Sequence, residues 1–373
     1  MTLAEELRGA SLIIGSIIGA GVLGIPYAAA ALGLIPSLIL SLVVGVVLYS
    51  TSIILLRFSA KNDGSQIATL ATDILGRPGG YFMMGGMMIY IYGALLAYTS
   101  AGGQTLAALT PLAEVPAAIV FWIAASFFIY QGLEASLKTE FVLVVGIVLL
   151  FLLVAITSLP HADFSNATYV DLGPWQAFIG VALFAFVGHA MVPDVYKALG
   201  DYEKAKRSIR LAFGLIFVLY AILTISFVLV FGREVPQIAP KAFEQLYGTA
   251  GLIIGNLLPL ITVTTSFIGF GLAQKNNYVD YNGLDSTVAW GLTVIPPLGL
   301  YLFGIRDFVG TLEVAGNVGA VILTLVVPIA MYLVWRKNAE RTSVGESRKS
   351  FGEGPSPSAG IFLSARNLDS GDN

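Results

Sequence analysis

The chain contains no cysteine, which removes disulfides, thiol nucleophiles and cysteine-bound metals from its chemistry. Histidine occurs only twice, and Asp, Glu, Lys and Arg make up 12% of 373 residues, about half the share found in a soluble domain. No HExxH is present and no nucleophile sits in a recognisable motif beside a base, so an enzyme is not expected. Net charge is −3, and no basic stretch is interleaved with aromatics, so nucleic acid is not an expected partner. What the chain has is apolar length: 56% of residues are hydrophobic and mean hydropathy is +0.82. That composition describes an all-α polytopic membrane protein, because a helix satisfies its own backbone hydrogen bonds inside a bilayer.

Ten apolar runs are long enough to cross, at about 11–32, 34–56, 81–109, 116–133, 140–159, 175–196, 208–231, 250–273, 286–304 and 308–335. Placed on alternate sides, all Lys and Arg except Arg233, Lys241 and Arg306 fall on one side. The positive-inside rule then predicts both termini in the cytoplasm and a multi-pass protein of the plasma membrane. The N-terminal MTLAEELRGA carries two acids and runs directly into the first span, so no removable signal peptide is expected. The connection after the second span reads as a short amphipathic helix at the inner mouth. Residues 1–335 form the transmembrane domain, and residues 336–373, polar and rich in Gly, Ser and Pro, read as a disordered cytoplasmic tail.

Two of the spans are poor helices. In GSIIGAGVLGIPY, Gly15, Gly19, Gly21 and Gly24 crowd the middle and Pro26 closes the run. Glycine costs a helix about 1 kcal/mol relative to alanine and proline removes a donor, so the segment should unwind near Gly19, Ala20 and Gly21. In FAFVGHAMVPDVYKAL, Gly188 and Pro193 flank His189 in the same way. Bare backbone at membrane depth is tolerated where it is buried in protein or faces a watery cavity, so both breaks point to a bound solute. They fall in the first and sixth of ten spans. Five is odd, so the second set enters the membrane from the opposite side, which predicts a five-plus-five inverted repeat over about 11–159 and 175–335. Free N–H groups near Gly21 suit a carboxylate and carbonyls near Gly19 and Phe186 suit an ammonium, the two ends of a zwitterionic amino acid.

Several side chains carry two readings each. Tyr90, Tyr92, Phe184 and Phe186 line an apolar pocket or simply pack. His189 relays protons or bridges two helices. Glu313, about two turns below the outer end of the last span, is a gating or proton-binding carboxylate or reaches interfacial water. Thr262, Thr264, Thr265 and Ser266 supply oxygens to sodium or bond back to their own helix. No cofactor is expected, and the coupling ion is a proton or alternatively sodium.

The segments GSIIGAGVLGIPYAAAALG and FAFVGHAMVPDVYKAL resemble the signature stretches of the amino acid/auxin permease group and, within it, the aromatic amino acid permeases. SFIGFGLAQKNNYVD, TVIPPLGLYLF and the Ala-Gly at Gly316 resemble the later spans of those permeases, so the likeness runs nearly to Trp335. It implies a LeuT-like fold and proton-driven symport by alternating access, with large neutral or aromatic amino acids as substrate and the bilayer as surroundings. A sodium-coupled symporter, as in some animal relatives, and a non-transporting sensor are the alternatives it leaves. Gly19, Ala20 and Gly21 match the unwound substrate-contacting part of helix one, and Gly188 and His189 the break of helix six. Two departures stand out: Ser16 replaces the Asn common in sodium-coupled relatives, and the polar tail stands where the aromatic permeases carry an eleventh span.

Overall fold

The structure, a computed structural model, describes residues 3–132 and 137–349. Among these residues every regular element is helical. In chain order they are α1 (Leu3–Ile17), α2 (Ala20–Leu32), α3 (Leu34–Lys61), α4 (Ile67–Leu75), α5 (Arg77–Leu109), α6 (Glu114–Gln131) and α7 (Leu137–Ser158). There follow α8 (Trp175–Ala185), α9 (Val192–Leu199), α10 (Tyr202–Phe231), α11 (Phe243–Asn282), α12 (Ser286–Leu302), α13 (Phe308–Val314) and α14 (Val327–Lys349). Seven helical units are long and apolar enough to span a bilayer, and the bent pair α1 and α2 makes an eighth. Val145–His161, running from α7 into the 3-10 turn after it, and α12 are two shorter apolar helices, so the runs expected from hydropathy fall on helices among the described residues.

Bundle packing explains where the chain departs from uniform helices. Gly248 has φ 55° inside α11, a left-handed conformation that glycine adopts without strain. There the chain turns, and the apolar part of α11 begins at the position hydropathy expects. Between α13 and α14, Ala315–Val326 is wound as a π-helix, and its small residues let it approach its neighbours: Gly316 lies directly against the backbone of Gly180 in α8. α4 packs on α5 and α14 and buries Ile67, Ala68, Leu70 and Ala71, which is the amphipathic connection that the sequence pattern describes.

One boundary moves. In the stretch expected as a tail from residue 336, α14 continues to Lys349. Polar though that stretch is, Ala, Glu, Arg and Lys are good helix formers and carry the register of the last span past its apolar edge. The rest of the expected tail lies outside the described residues.

Candidate functional site

Both breaks form where glycine weakens the helix. α1 stops at Ile17, α2 starts at Ala20, and the two axes differ by 55°. A Cβ on Gly19 would stand 2.6 Å from Ser266 Oγ and 2.7 Å from Tyr98 Oη, so only glycine lets α11 and α5 close on the joint. α8 stops at Ala185, a single 3-10 turn covers His189–Met191, and α9 resumes with Pro193 in its first turn, where its missing N–H costs nothing.

The ends of broken helices leave carbonyls without donors, and each such group costs several kcal/mol in hydrocarbon. Here side-chain hydroxyls supply donors beside two backbone bonds within the breaks, from Gly19 N–H to Ile17 O at 2.8 Å and from Val187 N–H to Phe184 O at 3.4 Å. Ser266 donates to Ile18 O at 3.2 Å, and Tyr90 donates to Phe184 O at 3.2 Å. Tyr220 stands 3.1 Å from Ile17 O and 3.0 Å from Ala185 O.

Beside the first break lies a cavity of about 760 Å³, within the range of small-molecule sites. Its walls come from α1 (Leu12, Gly15, Ser16) and Ile18 at the first break, from Ala190 and Met191 in the 3-10 turn of the second, from Asp194, Lys197 and Ala198 of α9, and from the Thr265 to Asp280 face of α11. Gln66, before α4, reaches it and donates to Asp194 Oδ1 at 3.2 Å. At the deep end Phe270 faces the cavity, with Tyr90 edge-on at 5.4 Å and Tyr98 stacked at 6.3 Å. Tyr90 in turn packs on Phe184 at 5.0 Å. These rings separate the cavity from the opposite half of the bundle, where Gly21 packs directly against Ala185. The cavity therefore belongs to the half of the bundle that holds α4 and the N-terminal part of α1.

Residues 4–345 match the tryptophan/tyrosine permease family. The chain belongs to that family. A tyrosine-specific transport system of Haemophilus influenzae is 28% identical over 349 residues, covering 87% of this chain and 86% of the relative. A glutamine transporter of Aliivibrio fischeri is 23% identical, covering 89% and 90%. Among solved structures, MhsT in complex with L-phenylalanine superposes with a TM-score of 0.60 at 14% identity, covering 90% of this chain and 98% of that one. This likeness places the bundle in the LeuT-like fold. The permease is a multi-pass membrane protein whose relatives are transport proteins rather than enzymes.

Within this permease fold, the residues singled out from sequence separate into those that meet the cavity and those that do not. Ser16, Thr265 and Ser266 line it. Gly19 sits at the joint itself, and Ala20 opens α2. Gly21, expected to border the solute, instead lies against Ala185 because α2 and α8 cross there at backbone contact. Gly188 packs on Ile13 and Ile17 of α1, with a Cβ there standing 2.9 Å from each. Tyr90 and Phe184 form the aromatic partition behind Phe270, and Phe186 turns toward Tyr220, with ring centroids 5.1 Å apart. Tyr92 bonds to Tyr278 and to Leu292 O.

His189 is fully buried and faces α3, away from the cavity. Its Nε2 lies 2.8 Å from Thr51 Oγ1 and 3.3 Å from Ser52 Oγ. The Thr51 hydroxyl also lies 3.3 Å from Val47 O and 3.2 Å from Leu48 O, so either partner can donate in the shorter bond to His189, according to the ring's tautomer. Glu313 is half-buried on α13, and its backbone carbonyl packs against Gly180, remote from the cavity wall. The hydroxyls of α11 divide as well: Thr262 donates to Leu258 O, Thr264 to Leu260 O, and Thr265 to Ile261 O and Thr262 O. Ser266 alone of the four reaches another element. Among the described residues no group of three His, Asp or Glu side chains gathers as a metal site.

Sequence reasoning missed Phe270, Asn276, Asn277 and Asp280, although all stand on one face of α11 with Ser266 and Gly269. A stripe of small and polar residues at helical spacing on an otherwise apolar span was the available signal. Asp194 of α9 lines the cavity as well. Tyr220 had no signal, since it lies in the uninterrupted run FGLIFVLYAILTISFVLV.

Proposed function

We propose that this permease is a secondary active transporter that moves large neutral or aromatic amino acids across the plasma membrane by alternating access, driven by a proton gradient. The observation that carries the reading is the cavity that ends on a broken helix with hydroxyl-capped carbonyls and an aromatic wall at Phe270. Carbonyl ends of half-helices suit an ammonium, an unwound segment offers N–H groups to a carboxylate, and Phe270 offers a face to an aromatic side chain. The relatives, a tyrosine-specific transport system in one case and a glutamine transporter in another, fit a zwitterionic substrate whose side chain varies. A five-plus-five inverted repeat with both termini in the cytoplasm fits the breaks in the first and sixth spans and the distribution of Lys and Arg. With that orientation the cavity opens to the cytoplasm, which makes this the inward-facing form. Asp194 and Asp280 on the cavity wall are the titratable groups best placed to exchange protons with it, while His189 and Glu313 act, if at all, from behind the wall.

One observation favours sodium as the coupling ion. Ser266 Oγ and Ile18 O converge at 3.2 Å on the rim of the cavity, a pair of oxygens of the kind a hard cation takes. Uptake of labelled tyrosine, tryptophan and glutamine into liposomes holding the purified protein separates the readings. Accumulation under an imposed proton gradient without sodium is expected. Accumulation that needs sodium moves the coupling to Ser266, and binding without uptake under either gradient makes the protein a sensor.

A further inference from the structure

Each half-helix that ends inside the membrane needs a donor for its last carbonyls. At the first break α1 ends with Ile17, and at the second α8 ends with Ala185. These two ends belong to different halves of different helices. A single phenol serves both: Tyr220 Oη stands 3.1 Å from Ile17 O and 3.0 Å from Ala185 O. Tyr220 is fully buried on α10, and its ring is held edge-on by Phe186 at 5.1 Å and 76°. The neighbouring donors divide the work differently: Ser266 serves the first break, and Tyr90 the second.

A tyrosine hydroxyl has one proton. With two carbonyls at nearly equal distance, the proton is shared or passes between them, while Ile17 O also accepts from Gly19 N–H at 2.8 Å. Drawing α1 away frees the whole bond for Ala185 O, and drawing α8 away frees it for Ile17 O. The geometry points to Tyr220 as a positioning residue that pins the inner half of the first broken helix to the outer half of the sixth, so that opening on one side is transmitted to the other. The inference rests on the transport reading for its consequence and on the bond geometry alone for the pin itself. It assigns Tyr220 no contact with substrate, since Tyr220 is absent from the cavity wall.

The test uses Tyr220→Phe, which keeps the ring and its contact with Phe186 and deletes only the donor. Because the chain has no cysteine, Leu7→Cys on α1 and Asp73→Cys on α4 give two unique spin-label sites. The distance distribution between them, measured with and without L-tyrosine, is expected to broaden in Tyr220→Phe as α1 loses its tie. In liposome uptake of L-tyrosine, KM is expected to stay within about twofold while the maximal rate falls about tenfold, the effect of losing one buried bond in the moving states. An unchanged distance distribution overturns the pin, whatever uptake shows. A broadened distribution with an unchanged maximal rate keeps the tie and overturns its role in transmission. If the unsubstituted protein takes up no amino acid, the transport reading fails while the labels still decide the pin. Should Tyr220→Phe not fold, difluorotyrosine at 220 keeps the fold and strengthens the donor. A narrower distribution is then expected, and an unchanged one overturns the proposal.

Discussion

The two broken helices begin from the same kind of sequence, glycine followed by proline, and end in different surroundings. The first break meets the cavity through Ser16 and Ile18 and owes one of its donors to a residue on the cavity wall, Ser266. The second is more fully covered: Phe184 and Phe186 are buried, Gly188 packs on α1 and His189 is bonded to α3, while Ala190 and Met191 at the end of its 3-10 turn reach the same cavity. The lesson is that a break does not by itself make a binding site. What makes one is a face left uncovered by neighbouring helices, which the first break has at Ser16 and Ile18 and the second only at Ala190 and Met191. The second holds the first in place.

That contrast can be broken, or sharpened, by substitution. The largest effect is expected at the crossing of the two helices. Gly21 faces the backbone of Ala185, so Gly21→Leu, which on the sequence alone would fill the solute site, should instead force α2 from α8. Overpacking costs about 1–3 kcal/mol where side chains can adjust and more where backbone must move. Folded yield on size exclusion should collapse, and a monodisperse variant that has lost only substrate binding would restore Gly21 to the site.

Next is Ser266→Ala, which orphans Ile18 O on the cavity rim. A buried carbonyl left without its donor costs about 1–3 kcal/mol, and the initial uptake rate of L-tyrosine should fall about tenfold or more. Wild-type rates would show that water or substrate serves that carbonyl equally well.

His189 tests the other side of the contrast. Its role as a bridge between the 3-10 turn and Thr51 predicts that His189→Gln, which can still hydrogen-bond to Thr51 but cannot titrate near neutral pH, keeps proton-driven accumulation within about threefold. Loss of accumulation with substrate binding intact would put the second break on the proton path and erase the distinction.

The smallest effect lies outside both breaks and sets the scale for them. Asp285 caps α12 by accepting from Thr287 N and Val288 N, and these bonds hold its carboxyl below the usual aspartate range. Since the folded pKa is the lower one, the contribution is present above the ordinary carboxylate pKa of about 3.9 and is lost as pH falls through the folded value. Asp285→Ala should lower the melting temperature slightly at pH 7, and the difference from the unsubstituted protein should shrink at the most acidic pH. A difference that grows on acidification contradicts the cap.

Much of the fold is legible in residues and their chain neighbours alone. Gly19 and Gly188 mark the breaks because the cost of glycine in a helix is local, and Pro193 marks the restart for the same reason. The α4 segment is legible because its apolar residues recur at helical spacing. Hydroxyls are the opposite case. Thr262, Thr264, Thr265 and Ser266 are chemically alike and adjacent in sequence, and three of them bond to their own helix while Ser266 reaches Ile18 O. His189 likewise reads as a relay until its neighbours show Thr51 within bonding distance.

The sequence by itself determined that the chain is a membrane bundle of helices, where two of them fail, and that the failures expose backbone to be satisfied by something. These follow from hydropathy, from the conformational cost of glycine and from the missing N–H of proline, all properties of a residue and its chain neighbours. Tertiary structure alone decided which residues of each break face a cavity, that Phe270 rather than Phe184 lines it, and that Tyr220 bonds to both breaks. Those depend on which helix faces lie side by side, and a hydroxyl or ring has a partner only once residues separated by many turns of chain have been packed against it.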